Sequence, residues 1–255
     1  MQYTLVFERR ALLMSALGCI LPTALITGLT AALAAGALQL GAPYVARVLA
    51  VYAAGAVLLL PGLLACHPFG SLGPANRVTV ARGAMVALLA GLLGARAAGA
   101  AAAATVVAAA ALILDGVDGA LARHTRMASR FGARFDMETD ALFTAVLSLL
   151  AWQLGRVGAW VLMSGAARYA FVAAGRLAPR LRRALPESPA RKVVAAVQMV
   201  VLVVVIAPFG TPMLRTALAA AALVALACSF ARDILWLVRS APPGGLRGTA
   251  RLKVP

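Results

Sequence analysis

The chain has 255 residues, of which 63% are apolar and only 13% charged, and its mean hydropathy is +0.92. That profile excludes an ordinary soluble domain and predicts an all-α polytopic membrane protein. Its 24 Lys and Arg against 8 Asp and Glu give a net charge of +16, but the basic residues sit in short runs between apolar segments, so they read as topology signals and no nucleic-acid partner is expected.

Apolar runs of spanning length predict about eight transmembrane helices, near 11–38, 44–66, 78–95, 98–121, 136–154, 157–176, 190–208 and 212–238. Arg9 and Arg10 precede the first run, which is too long for the core of a signal peptide and is read as a span. Between the second and third runs, HPFGSLGPANR is rich in Pro and Gly and marks a boundary near Pro74, with His67 at the interface. Ala100–Ala111 is almost pure Ala, a smooth helix face that allows close packing. The final SAPPGGLRGTARLKVP lacks apolar periodicity, so 239–255 is expected to be a basic disordered tail near anionic lipid. Cys19, Cys66 and Cys228 are far apart and form no CxxC, so they read as packing residues.

Charge sets the expected orientation. With a cytoplasmic N-terminus, 18 of the 24 basic residues fall on the cytoplasmic side, Arg47, Arg96, Arg156 and Arg215 fall on the other, and Arg168 and Arg232 lie within helices. The cell's inner or plasma membrane is the expected location.

Five of the eight acids, Asp115, Asp118, Asp136, Glu138 and Asp140, cluster within Leu114–Asp140, where flanking apolar segments make charge costly. Asp115 and Asp118 are three apart near the end of one helix, and Asp136 and Asp140 four apart at the start of the next, so each pair shares a face. A loop over about 124–134, with His124 in solvent, would bring the faces together. Eighteen residues, 97–114, precede the first Asp and fourteen, 141–154, follow the last; a span takes about 20, so the acids are expected at the cytoplasmic membrane surface. Four converging carboxylates would repel unless neutralised, and oxygen ligands suit Mg²⁺ or Mn²⁺, one ion or two. Acids that merely paired with loop arginines would not need this arrangement. Gly119 and Ala122 leave room for a nucleotide, Arg123 offers a charge to a phosphate, and Gly132 shapes the return of the chain.

The pattern Asp115-x-x-Asp118-Gly119-x-x-Ala122-Arg123, then eight residues to Gly132, three to Asp136 and three to Asp140 resembles the complete signature of the CDP-alcohol phosphotransferase (CDP-alcohol phosphatidyltransferase) family. Pro74-Ala75-Asn76-Arg77-Val78-Thr79-Val80-Ala81-Arg82 is similar to the start of that family's first core helix, with Ala75 inserted and Val in place of Leu. The resemblance implies a six-helix core over 67–238, preceded by two extra helices in 1–66. It implies transfer of a phosphatidyl or substituted phosphoryl group from a CDP-linked donor to an alcohol, releasing CMP. Asp115, Asp118 and Asp136 would then ligate two metal ions, with Asp140 assisting and acting as general base. Gly119, Ala122, Arg123 and Gly132 would line the CDP site, Arg123 as part of the catalytic machinery and Asn76 and Arg82 as helpers at the pyrophosphate. Family likeness also implies a homodimer.

Arg168 lies inside an apolar helix, and an intramembrane charge marks a functional position or a structural ion pair, for which Asp233 is the candidate partner. Arg168-Tyr169 resembles an acceptor-phosphate position of the family, as do Arg191 and Lys192, with Gln198 on the same helix. These favour CDP-diacylglycerol as donor and a phosphorylated polyol as acceptor, against Arg191 and Lys192 as plain topology anchors. The alternatives are CDP-choline or CDP-ethanolamine with diacylglycerol, and a cation transporter or channel, whose site would be expected at the midplane.

Overall fold

The computed structural model describes residues 2–125, 127–177 and 188–239, apart from the side chains of residues 2–8, Asp118, Ala122, Arg123 and Leu177. Among the described residues there are eight α-helices and no strand: α1 (Gln2–Ala37), α2 (Ala42–Cys66), α3 (Pro74–Gly91), α4 (Ala100–Thr125), α5 (Arg130–Gln153), α6 (Leu162–Leu177), α7 (Pro189–Ile206) and α8 (Pro212–Arg239), with one 3₁₀ turn at Ala159–Val161 before α6. Of the expected tail over 239–255, Arg239 is the last residue of α8, and 240–255 lie outside the described residues.

Helix starts differ from the apolar runs for identifiable reasons. Gly73 at φ +78° turns the chain and Pro74 occupies the first helical turn, so α3 begins at Pro74 instead of 78. Ser129 caps α5 by accepting from the Gly132 N–H at 3.0 Å, which starts that helix at Arg130 instead of 136 and shortens the expected loop. Apolar runs locate lipid-compatible segments, whereas polar first turns such as Ala75-Asn76-Arg77 are read by caps. The first helix likewise begins at Gln2, ahead of its apolar run.

Among the described residues, five helices are long and apolar enough to cross a membrane: Arg9–Ala37, Ala42–Cys66, Ala100–Leu121, Pro189–Ile206 and Pro212–Arg239. The remaining three, α3, α5 and α6, are shorter or more polar. For α3 the cause is its position. It packs against α1, α2, α4 and α5, ten of its 18 residues are buried, and a surface covered by protein need not match lipid.

Close approaches hold this arrangement. α1 and α2 form a hairpin in which the Tyr52 hydroxyl donates to the Ile20 carbonyl at 3.0 Å, and the Tyr44 hydroxyl ties α2 to the Leu88 carbonyl of α3 at 3.2 Å. Gly91 lets α3 touch α2, because a Cβ there would stand 2.8 Å from the Tyr44 ring. Gly165 does the same for α6 on α5, where a Cβ would meet the Ala145 Cα and the Ser148 Oγ at 2.6 Å. Helix α7 packs on α5 and α4 and pairs with α8.

Candidate active site

Three polar residues of α3, Asn76, Thr79 and Arg82, recur every third position, fall along one side of the helix and are all buried. The amide of Asn76 donates to the Leu72 carbonyl at 2.6 Å, and the Thr79 hydroxyl donates to the Ala75 carbonyl at 3.2 Å. Arg82, whose side chain is 3% exposed, reaches the carboxylates: its Nη2 stands 2.7 Å from Asp115 Oδ1 on α4, its Nη1 stands 2.5 Å from Asp136 Oδ1 on α5, and Nη2 also donates to Asp140 Oδ1 on α5. Helix α3 lies between α4 and α5, which make little direct contact with each other among the described residues. The two Asp-bearing helices are thus joined through a guanidinium contributed by a third helix.

The family resemblance implies a place for Arg82 at a pyrophosphate; its contact with three carboxylates is an additional feature, set by the packing of α3 against α4 and α5. The available signal was an arginine two turns into α3, on the same side as Asn76 and Thr79. Starting that helix at 78 hid how far inside Arg82 lies.

Charge still favours more cations. Three carboxylates against one guanidinium leave about two negative charges among these four groups when all are ionised. One oxygen from each of Asp115, Asp136 and Asp140 lies within 4.8 Å of the others, and the three residues are neither fully buried nor exposed. Hard oxygen donors at that spacing fit a divalent ion such as Mg²⁺ or Mn²⁺. Asp140 lies outside the five candidate spans. Burial pushes its carboxyl up from 3.8 to about 7, Arg82 opposes the rise, and Asp136 and Asp115 add to it.

Gly132 sits in the first turn of α5, where a Cβ would stand 2.8 Å from Asn76 Oδ1 and 3.3 Å from Ser129 Oγ. Its missing side chain therefore lets the start of α5 meet the start of α3. Gly119 is on α4, one helical turn after Asp115. Asp118, Ala122 and Arg123 lie on the same helix, but their side chains are outside the described residues.

The acceptor candidates are elsewhere. Arg168 Nη2 stands 2.5 Å from Glu138 Oε1, and Arg191 Nε stands 2.9 Å from Asp233 Oδ2. Asp233, the expected structural partner of Arg168, is therefore paired with Arg191 across α7 and α8 instead, and Arg168 has found the exposed carboxylate of the motif. Glu138 is about 200° around α5 from Asp136 at ~100° per residue, so this pair occupies a different helix face from the Asp cluster. Lys192 is exposed on the first turn of α7. Gln198 is buried and donates to Ser164 Oγ at 3.0 Å.

The family model described as CDP-alcohol phosphatidyltransferase matches residues 73–231. No curated protein and no solved structure matches the chain.

Proposed function

Because the chain belongs to the CDP-alcohol phosphatidyltransferase family, we propose that it is a phospholipid-biosynthesis enzyme moving a phosphatidyl group from CDP-diacylglycerol to an alcohol. The observation that carries this reading is the meeting of Asp115, Asp136 and Asp140 around Arg82 within the matched segment. In this reading α3–α8 form the catalytic unit, α1 and α2 are additions to it, and the site faces the cytoplasm of the cell membrane. The CDP head stays in water there while the acyl chains remain in lipid.

The acceptor oxygen attacks the phosphatidyl phosphorus as the bond from that phosphorus to the CMP oxygen breaks. In-line placement and neutralised phosphate oxygens are what this displacement needs. Asp140 takes the proton of the acceptor hydroxyl. Arg82 holds the carboxylates of α4 and α5 at fixed separation and presents positive charge near the pyrophosphate, with Asn76 beside it. Gly119, Ala122, Arg123 and Gly132 line the nucleotide site, Arg123 supplying charge to a phosphate. Asp115, Asp118, Asp136 and Asp140 would hold Mg²⁺ or Mn²⁺, two ions by family likeness, whose charge when bound stabilises the phosphate oxygens.

A phosphorylated polyol is the proposed acceptor, with Arg168, Arg191 and Lys192 as its phosphate contacts. Since Arg168 and Arg191 each have a carboxylate partner, an acceptor phosphate would compete with Glu138 and Asp233. The test is a matrix of CDP-diacylglycerol and CDP-choline against glycerol 3-phosphate, inositol phosphate, serine, inositol and diacylglycerol, scored by lipid product. The expected product needs CDP-diacylglycerol and a phosphorylated acceptor. Product from CDP-choline and diacylglycerol alone would reverse donor and acceptor, and CMP from no pair would contradict the reading.

A further inference from the structure

The matched segment begins at residue 73, yet the hairpin that precedes it reaches the helix carrying Asp136 and Asp140. His67 follows the last residue of α2 and its N–H bonds to the Leu63 carbonyl at 3.0 Å. Its Nε2 lies 2.9 Å from the Ser71 carbonyl oxygen. A carbonyl only accepts, so Nε2 carries the hydrogen and Nδ1 of the neutral ring is left as an acceptor. That nitrogen lies 3.4 Å from Ser129 Oγ, the atom that caps α5 through the Gly132 N–H. The Ser129 hydroxyl can therefore donate to His67 while its lone pairs face the helix.

Packing reinforces the same contact. The His67 ring meets Phe131, in the first turn of α5, edge to face at 5.5 Å, and Phe131 stacks on Phe135 at 6.1 Å. Gly62 of α2 admits the Phe131 ring, which would stand 3.5 Å from a Cβ there. From α1, Ser15 Oγ accepts the Leu72 N–H at 3.2 Å, just ahead of α3.

We propose that the α1–α2 hairpin is a positioning element for the catalytic carboxylates, acting through His67 on the Ser129 cap of α5. The catalytic part of this inference rests on the function proposed above. Asp136 lies one turn after Gly132 and Asp140 one turn further, so loosening the first turn moves the carboxylates that must meet Asp115. Small displacements at such a site cost rate far more than they cost binding.

The test compares wild type, His67→Phe, and His67→Phe with Ser129→Asn in the full-length protein. Phe keeps ring packing but has no nitrogen, and Asn is an N-cap that does not depend on an imidazole. His67→Phe should raise hydrogen exchange of first-turn α5 amides about fivefold, the factor expected from a weakened cap. It should lower kcat for CMP release by about five- to tenfold while the donor KM changes less than about twofold. Adding Ser129→Asn should restore both. Wild-type exchange in His67→Phe, or no recovery with Ser129→Asn, would overturn the positioning role. Altered and rescued exchange in a protein that releases no CMP would uphold the structural link and refute the catalytic reading instead.

Discussion

The two halves of α3 bury opposite kinds of residue. Its first half buries the polar residues Asn76, Thr79 and Arg82, with Val80 the one buried apolar side chain there, and Arg82 meets carboxylates from α4 and α5, whereas its second half buries only Ala84, Val86, Ala87, Leu88, Leu89 and Gly91, the last against α2. A buried charge is tolerated only where charges and hydrogen bonds answer it, so the polar half marks where chemistry is placed. The apolar half answers to shape alone. Changes in the first half should therefore cost activity more than stability, and changes in the second half the reverse.

The largest effect is expected at the carboxylates that the polar half gathers. Asp140→Asn keeps an oxygen for Arg82 but removes the proposed base, so CMP release should fall about 10³-fold while the melting temperature stays close to that of wild type. Kinetics on folded, purified protein check this. Arg82→Gln comes next. Removing the guanidinium leaves three carboxylates facing one another, and since these are 25–40% exposed the stability loss should be about 1–3 kcal/mol, below the cost of a fully buried charge. Turnover should drop about 10²-fold, as expected when reacting groups lose their placement. Arg82→Gln with wild-type turnover would erase the distinction between the halves.

In the apolar half, Gly91→Ala puts a methyl into the Tyr44 ring and a Val48 methyl. Overpacking of this kind should cost about 1–3 kcal/mol with turnover per folded molecule unchanged, and Val48→Ala should return part of the loss. Tyr44→Phe removes only the hydroxyl that donates to Leu88. It should cost about 0.5–1 kcal/mol, read by denaturation, and leave turnover untouched.

Much of this plan was legible in the residues. Each of the eight apolar runs falls on a helix among the described residues, but only five of those helices are long and apolar enough to cross a membrane, because a run covered by other helices need not meet lipid. The facing of Asp136 and Asp140 followed from helical period, and the structure brings them together with Asp115. Less legible was anything set by contacts between distant segments. No local pattern says that α3 lies between α4 and α5, so the role of Arg82 as their common partner was hidden. Arg168 was singled out by its setting, but its choice of Glu138 over Asp233 depends on which helices pack. Gly132 looked like a nucleotide-site glycine, and its closeness to Asn76 shows a packing demand that spacing does not reveal.

The central claim is that carboxylates gathered by the polar half of α3 serve metal-dependent phosphatidyl transfer. The most direct measurement is CMP release from CDP-diacylglycerol by purified protein in lipid, with Mg²⁺ or Mn²⁺ and with excess chelator, for wild type and for the Asp118→Asn, Asp140→Asn double variant. The account predicts release only by wild type with metal. Release that survives in the double variant would contradict it.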